Sequence, residues 1–238
     1  LQVRPISTKV RRRLLALAVL VVALGVVTFT FRNPWFRGNF GVVDEGVVYR
    51  SAQPLGGLAD LIARKRIATV LNLRGGSGAD SWYAAEVDVT RRLGVDLYDL
   101  PLVATVRPSR KQLLTVLDVL DRCKYPLLIH CKSGSDRTGL VSGLYLMSRE
   151  GVDPERAEDA FSIYYGHVPL LGTRHLHEPF REYAEWLRSH HQTHTPERLR
   201  NWVAHDYQAE DEFVEVTPLP TGPRIRRSAR LADEFVPK

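Results

Sequence analysis

Ten residues near the middle of the chain, His130-Cys131-Lys132-Ser133-Gly134-Ser135-Asp136-Arg137-Thr138-Gly139, restrict the fold more than any other stretch. Ahead of them Pro126, Leu127, Leu128 and Ile129 make an apolar run of strand length; behind them the run from Leu140 to Met147 is long and apolar enough for a buried helix. The connection is therefore strand, tight loop, helix. Small residues at Ser133, Gly134 and Ser135 let the loop curl with its N–H groups inward, and the helix adds its positive N-terminal end, so the segment suits a bound oxyanion such as phosphate. Arg137 is spaced to grip two of its oxygens at once. Cys131 lies at the base of the same cradle, where N–H groups and Arg137 favour the thiolate, the nucleophilic form.

Cys131-x5-Arg137, with His130 before it and Thr138-Gly139 after it, resembles the signature of the cysteine-dependent protein tyrosine and dual-specificity phosphatases. With Asp directly before Arg, HCKSGSDRTG is similar to the atypical bacterial or lipid-phosphatase-like branch. Val47 through Pro54 (VVYRSAQP) and Asn72-Leu73-Arg74 resemble the front half of the domain in small bacterial and fungal members, so that the likeness spans residues 39–189. The resemblance implies a phosphatase acting through a cysteinyl-phosphate, with Cys131 as nucleophile, Arg137 and the loop residues Lys132, Ser133, Gly134 and Ser135 holding phosphate, and no metal or other cofactor. Thr138 is expected to offer its hydroxyl to the Cys131 sulfur, and His130 to hold the loop by hydrogen bonds. Lys132 resembles its counterpart in lipid phosphatases, which points to phosphoinositide-like substrates beside phosphotyrosine protein.

One departure from the family pattern matters. The mobile loop that usually carries an acidic residue corresponds to residues 100–108, LPLVATVRP, and contains none. The leaving oxygen still needs a proton. Asp136, inside the cradle as in myotubularin-like and related bacterial phosphatases, is preferred as the acid over Asp99, which precedes the loop. Two competing readings remain: a catalytically silent phosphate-binding module at a membrane, kept open by the missing loop carboxylate, and a rhodanese-like sulfurtransferase, disfavoured by the loop length.

The remaining pattern predicts an α/β fold, a central, mostly parallel sheet flanked by helices, with an N-terminal transmembrane helix; the resemblance implies that this sheet is tyrosine-phosphatase-like. Two short strands flank the Asp44-Glu45-Gly46 turn; helices over 56–65, 82–93 and 109–122 alternate with strands over 67–73 and 95–100. Gly75-Gly76-Ser77-Gly78 lacks the lysine of a nucleotide-binding loop and reads as a flexible turn. Asp153-Pro154-Glu155 opens a further helix, and Phe180, Tyr183, Ala184 and Leu187 mark the last helix of the domain.

Residues 14–31 carry no charge and as a helix span about 27 Å, enough to cross a bilayer, with Trp35 and Phe36 as interfacial anchors. An uncleaved anchor is preferred to a cleaved signal peptide, because no A-x-A-like site follows. Arg4, Lys9, Arg11, Arg12 and Arg13 precede it, which predicts a cytoplasmic N-terminus and a catalytic domain outside the cytoplasm. Those same residues account for most of the formal charge of +6, and the nearly neutral remainder gives no nucleic-acid footprint. The expected organisation is a basic segment (1–13), an anchor (14–31), a phosphatase domain (39–189) and a partly disordered C-terminal extension (190–238), with one short helix over 196–204. In that extension Arg224, Arg226, Arg227 and Arg230 read as a solvated tail. Cys123 lies a strand's length from Cys131, beyond disulfide reach. His175, His177, His190 and His191 lack a surrounding ligand set and are expected to be solvated loop residues.

Overall fold

The computed structural model describes residues 8–169 and 172–209. Helix α1 (Thr8–Thr30) is followed at once by a short α2 (Arg32–Phe36). Lys9, Arg11, Arg12 and Arg13 are helical within α1, continuous with the apolar stretch that follows. Nothing between Thr8 and Leu14 breaks a helix, and Lys and Arg are good helix formers. Every side chain of α1 up to Val27 is exposed, on all faces, unlike those of a soluble core helix.

The sheet begins with the hairpin β1 (Gly41–Asp44) and β2 (Val48–Ser51), then α3 (Leu58–Lys65), β3 (Thr69–Asn72), α4 (Ser81–Leu93), β4 (Asp96–Asp99), α5 (Arg110–Arg122) and β5 (Leu127–His130). Strand order is β1-β2-β5-β3-β4, with only the β1–β2 pair antiparallel. The predicted mostly parallel sheet is therefore present. β5 is central, and all four of its residues are buried. Alternation sends Leu127 and Ile129 into one apolar layer with Leu71, Leu117 and Leu144, and Leu128 into the other with Val70, Ile62 and Tyr49.

α6 (Asp136–Glu150) leaves the loop after β5 and is buried along most of its length. α7 (Pro154–Ala157), three short 3-10 segments and α8 (Glu178–Ser189) follow it, and α9 (Pro196–His205) completes that layer. The helix predicted over 196–204 is thus present, but it is no appendage. Leu199, Trp202, Val203 and Tyr207 are buried in the same core as Leu113 and Leu140, so the compact unit reaches Tyr207 instead of ending at 189. The predicted tail arginines Arg224, Arg226, Arg227 and Arg230 lie outside the described residues. At α5 the Ser109 hydroxyl accepts from Gln112 N while Gln112 Oε1 accepts from Ser109 N, a closed capping box that fixes where the preceding loop ends.

Candidate active site

The loop of residues 131–135 stands at the carboxyl end of the central strand, between the ends of β2 and β3, where Ser51 and Asn72 both lie level with His130. Gly134 is obligatory there. Its φ is +73°, and a Cβ would come within 2.6 Å of Ala52 N and the Ser51 carbonyl carbon. Its N–H donates to Cys131 Sγ at 3.2 Å, and the sulfur is buried.

The loop's shape is enforced from outside by two side chains. Asn39 Nδ2 donates to Ser133 O at 2.8 Å and to Tyr165 O at 2.8 Å. Arg50, buried under the loop, donates to Gly134 O (2.9 Å), Ser135 O (3.3 Å) and Ala160 O (2.7 Å), with its guanidinium 3.8 Å from the Tyr165 ring centre. In a trans peptide the carbonyl and the next N–H point to opposite sides. With three consecutive carbonyls held outward, the N–H groups of Gly134, Ser135 and Asp136 face the cradle, which makes an anion nest. Burial lowers the Arg50 pKa to about 10, and the tyrosine and Cys131 nearby act the other way.

Arg137 leaves the first turn of α6 and donates through Nη1 to Leu73 O and Leu102 O, both at 3.2 Å. These two carbonyls, from the ends of β3 and of the segment after β4, fix the guanidinium plane. Its Nε is buried with no partner among the described residues, a donor suited to an incoming phosphate oxygen. Lys132 and Ser133 are exposed at the loop's rim. The Ser135 hydroxyl is committed to Tyr165 O at 2.6 Å, so this residue's contribution to an anion is its N–H alone.

Two expected bonds are not formed. Thr138 Oγ1 is buried without a partner, so the expected Thr138–Cys131 hydrogen bond is absent in this state. His130 is buried and braced by Glu86 Oε1 on α4 at 2.5 Å, not by the loop. Glu86 in turn accepts from Gln53 Nε2 at 3.0 Å, and Gln53 N donates to Lys132 O at 3.3 Å, so His130 reaches the loop indirectly.

The two acid candidates sit in different surroundings. Asp99, at the end of β4, accepts from Asn72 Nδ2 at 2.8 Å through one oxygen and from the Tyr83 hydroxyl through the other. Burial raises its pKa above the ordinary carboxylate range, while the two hydrogen bonds hold it down. Asp136 is partly exposed, and its Oδ1 meets His167 Nδ1 at 2.7 Å. His167 Nε2 meets His177 Nε2 at 2.8 Å, and His177 Nδ1 meets Glu158 Oε1 at 2.5 Å. His177 is therefore not the solvated loop histidine expected from the sequence. It is buried and stacked on Phe161 at 4.1 Å between ring centres. His190 and His191 are exposed, and His175 is partly so.

Sequence reasoning assigned no role to Asn39, Arg50, Glu86 or His167, and took His177 for a solvated loop residue. Two carried a signal: Arg50 is a charge within an otherwise uncharged strand, and Asn39 has φ +51°, a conformation asparagine tolerates better than most residues.

A family model described as "DSP-PTPase phosphatase fused to NAD+ Kinase" matches residues 36–167. The inositol diphosphatase DSP1 of Oryza sativa subsp. japonica is 33% identical over 113 residues, covering 44% of this chain and 47% of that protein. The chain thus spans about half the length of this curated relative. The crystal structure of P. aeruginosa TpbA in complex with pTyr shares 21% identity with a TM-score of 0.51, covering 72% of this chain and 99% of that one. The core catalytic domain of the PP-IP phosphatase SIW14 from S. cerevisiae, in complex with citrate, gives 21% identity and a TM-score of 0.49, over 64% and 93% of the two chains. The likeness to TpbA shows a shared fold.

Proposed function

We propose, on the premise that this chain belongs to the cysteine-dependent phosphatases of the tyrosine and dual-specificity type, a membrane-anchored enzyme that hydrolyses phosphate esters of polyanionic, inositol-type substrates. The observation that carries the chemistry is the loop itself: a buried sulfur under inward N–H groups, with the partnerless Nε of Arg137 beside it. Cys131 attacks phosphorus and the bond to the leaving oxygen breaks. Arg137 and the loop N–H groups stabilise charge on the equatorial oxygens, and water then releases phosphate from sulfur.

Asp136 is the acid in this reading. Asp99 has the raised pKa that suits an acid, but both its oxygens already accept hydrogen bonds, which favours a fixed acceptor. Asp136 Oδ2 accepts none among the described residues, and the side chain opens to solvent within the loop. The inositol-type substrate is supported by exposed Lys132 at the rim and by the name of the rice relative. Helix α1, long, apolar and exposed throughout its span, supports the anchor, and the basic residues at its start support a cytoplasmic N-terminus. A domain on the far side meets substrates there and not cytoplasmic phosphoinositides.

The test is phosphate release from a panel of inositol pyrophosphates, phosphoinositides and phosphotyrosine peptides. Cys131→Ser is expected to lose all turnover while still binding inorganic phosphate; residual turnover by that variant sinks the mechanism. Preference for phosphotyrosine peptides sinks the substrate assignment alone. Asp136→Asn is expected to slow phenyl phosphate by about 100-fold and p-nitrophenyl phosphate far less, because a good leaving group needs little protonation. The same selective loss in Asp99→Asn instead moves the acid to Asp99.

A further inference from the structure

The Asp136–His167–His177–Glu158 line has, beyond Asp136 itself, no part in the chemistry so far. It runs from inside the catalytic loop to a carboxylate at the surface, through two side chains that are almost entirely buried. Side-chain exposure is 21% at Asp136, 3% at His167, 8% at His177 and 22% at Glu158. Phe161 lies against both rings, 4.9 Å from His167 and 4.1 Å from His177, and Phe180 packs edge-on behind it at 5.6 Å. The apolar packing leaves the histidines little to bond with but each other and the two carboxylates.

Counting protons shows what such a line does. Three hydrogen bonds in series need three protons, one in each gap, and two neutral imidazoles bring only two. The third sits on one of the carboxyl groups or makes one imidazole a cation. Burial pushes the His177 pKa below its usual value, which disfavours a cation on that ring. At the outer end Arg181 donates to Glu158 Oε1 through Nε at 2.8 Å, and its Nη2 lies 2.7 Å from the same oxygen. That pairing ends the line at the surface on a cation.

We infer that His167, His177 and Glu158 form a proton relay that loads Asp136 from the protein surface, a reading that rests on Asp136 being the acid. The steps balance. A proton held by Glu158 passes to His177 Nδ1, the His177 Nε2 proton passes to His167 Nε2, and the His167 Nδ1 proton passes to Asp136 Oδ1. Each imidazole gains one proton, loses one and stays neutral. Glu158 ends ionised, and Asp136 becomes the carboxylic acid that the leaving oxygen needs. When Asp136 takes a proton from the attacking water in the second step, the reverse movement returns the excess to solvent. His167, His177 and Glu158 are positioning residues here, acting only through Asp136.

The experiment uses the full chain with phenyl phosphate and p-nitrophenyl phosphate. His177→Gln keeps a donor at the Nε2 position, and Glu158→Gln alters a group open to solvent; neither glutamine can pass a proton on. Each is expected to lower kcat for phenyl phosphate about tenfold more than for p-nitrophenyl phosphate. In an Asp136→Asn background both are expected to change that ratio no further, because the relay has nothing left to load. Equal losses on both esters, an unchanged ratio in Glu158→Gln, or a further selective loss in the Asp136→Asn background would each overturn the relay. If Asp136→Asn itself leaves the ratio unchanged, the acid assignment fails first. If it lowers the ratio and Glu158→Gln does not, the relay alone fails.

Discussion

At the scale of single residues, the loop after β5 is held by side chains that bond its carbonyls from outside. Arg50 illustrates why. Its planar fork reaches three carbonyls from two segments, and burial keeps out the water that would otherwise replace it. A lysine carries a point charge without that geometry. Arg50→Lys is expected to leave at least one of the three carbonyls unpaired, cost about 3 kcal/mol of stability and weaken vanadate binding with kcat. Thermal unfolding together with vanadate titration checks it; wild-type vanadate affinity in the variant would show that the Gly134 and Ser135 carbonyls need no such restraint. The same residue shows how far a sequence can be read. A charge between Tyr49 and Ser51 is visible as an exception to the strand pattern, but not what it bonds, because Gly134 and Ala160 are 84 and 110 positions away.

Among the elements, the link between α8 and α9 joins the last helix to the core. His194 lies in it, with Nε2 3.0 Å from Met147 O on α6 and Nδ1 3.1 Å from the Tyr183 hydroxyl on α8. Burial lowers the pKa of His194, and of His177, below the ordinary value of 6.5. A histidine with a depressed folded pKa binds fewer protons than in the unfolded chain, so its stabilising contribution is full above 6.5 and is lost as pH falls toward the folded value. The midpoint of thermal unfolding is therefore expected to fall on acidification below about pH 6.5. His194→Gln, which keeps a donor at the Nε2 position toward Met147 O, should make that decline shallower; an unaltered pH profile in the variant would remove His194 from the account. The sequence placed helix α9 correctly and misjudged its role. Leu199, Trp202 and Val203 show an apolar face, but only the groove over α5 and α6 makes that face core.

For the whole molecule, the apolar helix and the catalytic loop are joined by a short hydrogen-bonded path. Asn33 on α2 donates to Asn39 Oδ1 at 3.0 Å, and Asn39 holds Ser133 O at 2.8 Å. Shortening the chain to begin at Arg32 is expected to move the protein from the membrane fraction to solution with its kcat intact. Beginning at Asn39 instead removes Asn33 and should lower kcat several-fold by loosening the loop. Sedimentation after lysis and single-substrate kinetics read both outcomes; full solubility of the complete chain would end the anchor assignment. The sequence by itself determined the strand-loop-helix, with its cysteine and arginine, the α/β alternation and the apolar span, because each is written in adjacent residues or in a short period. Only the tertiary structure decided what holds the loop open, that α9 packs into the core, and that Asp136 heads a line of two histidines to Glu158. Those features depend on side chains brought together from distant positions, and hydrogen bonds between buried polar groups leave no periodic trace along the chain.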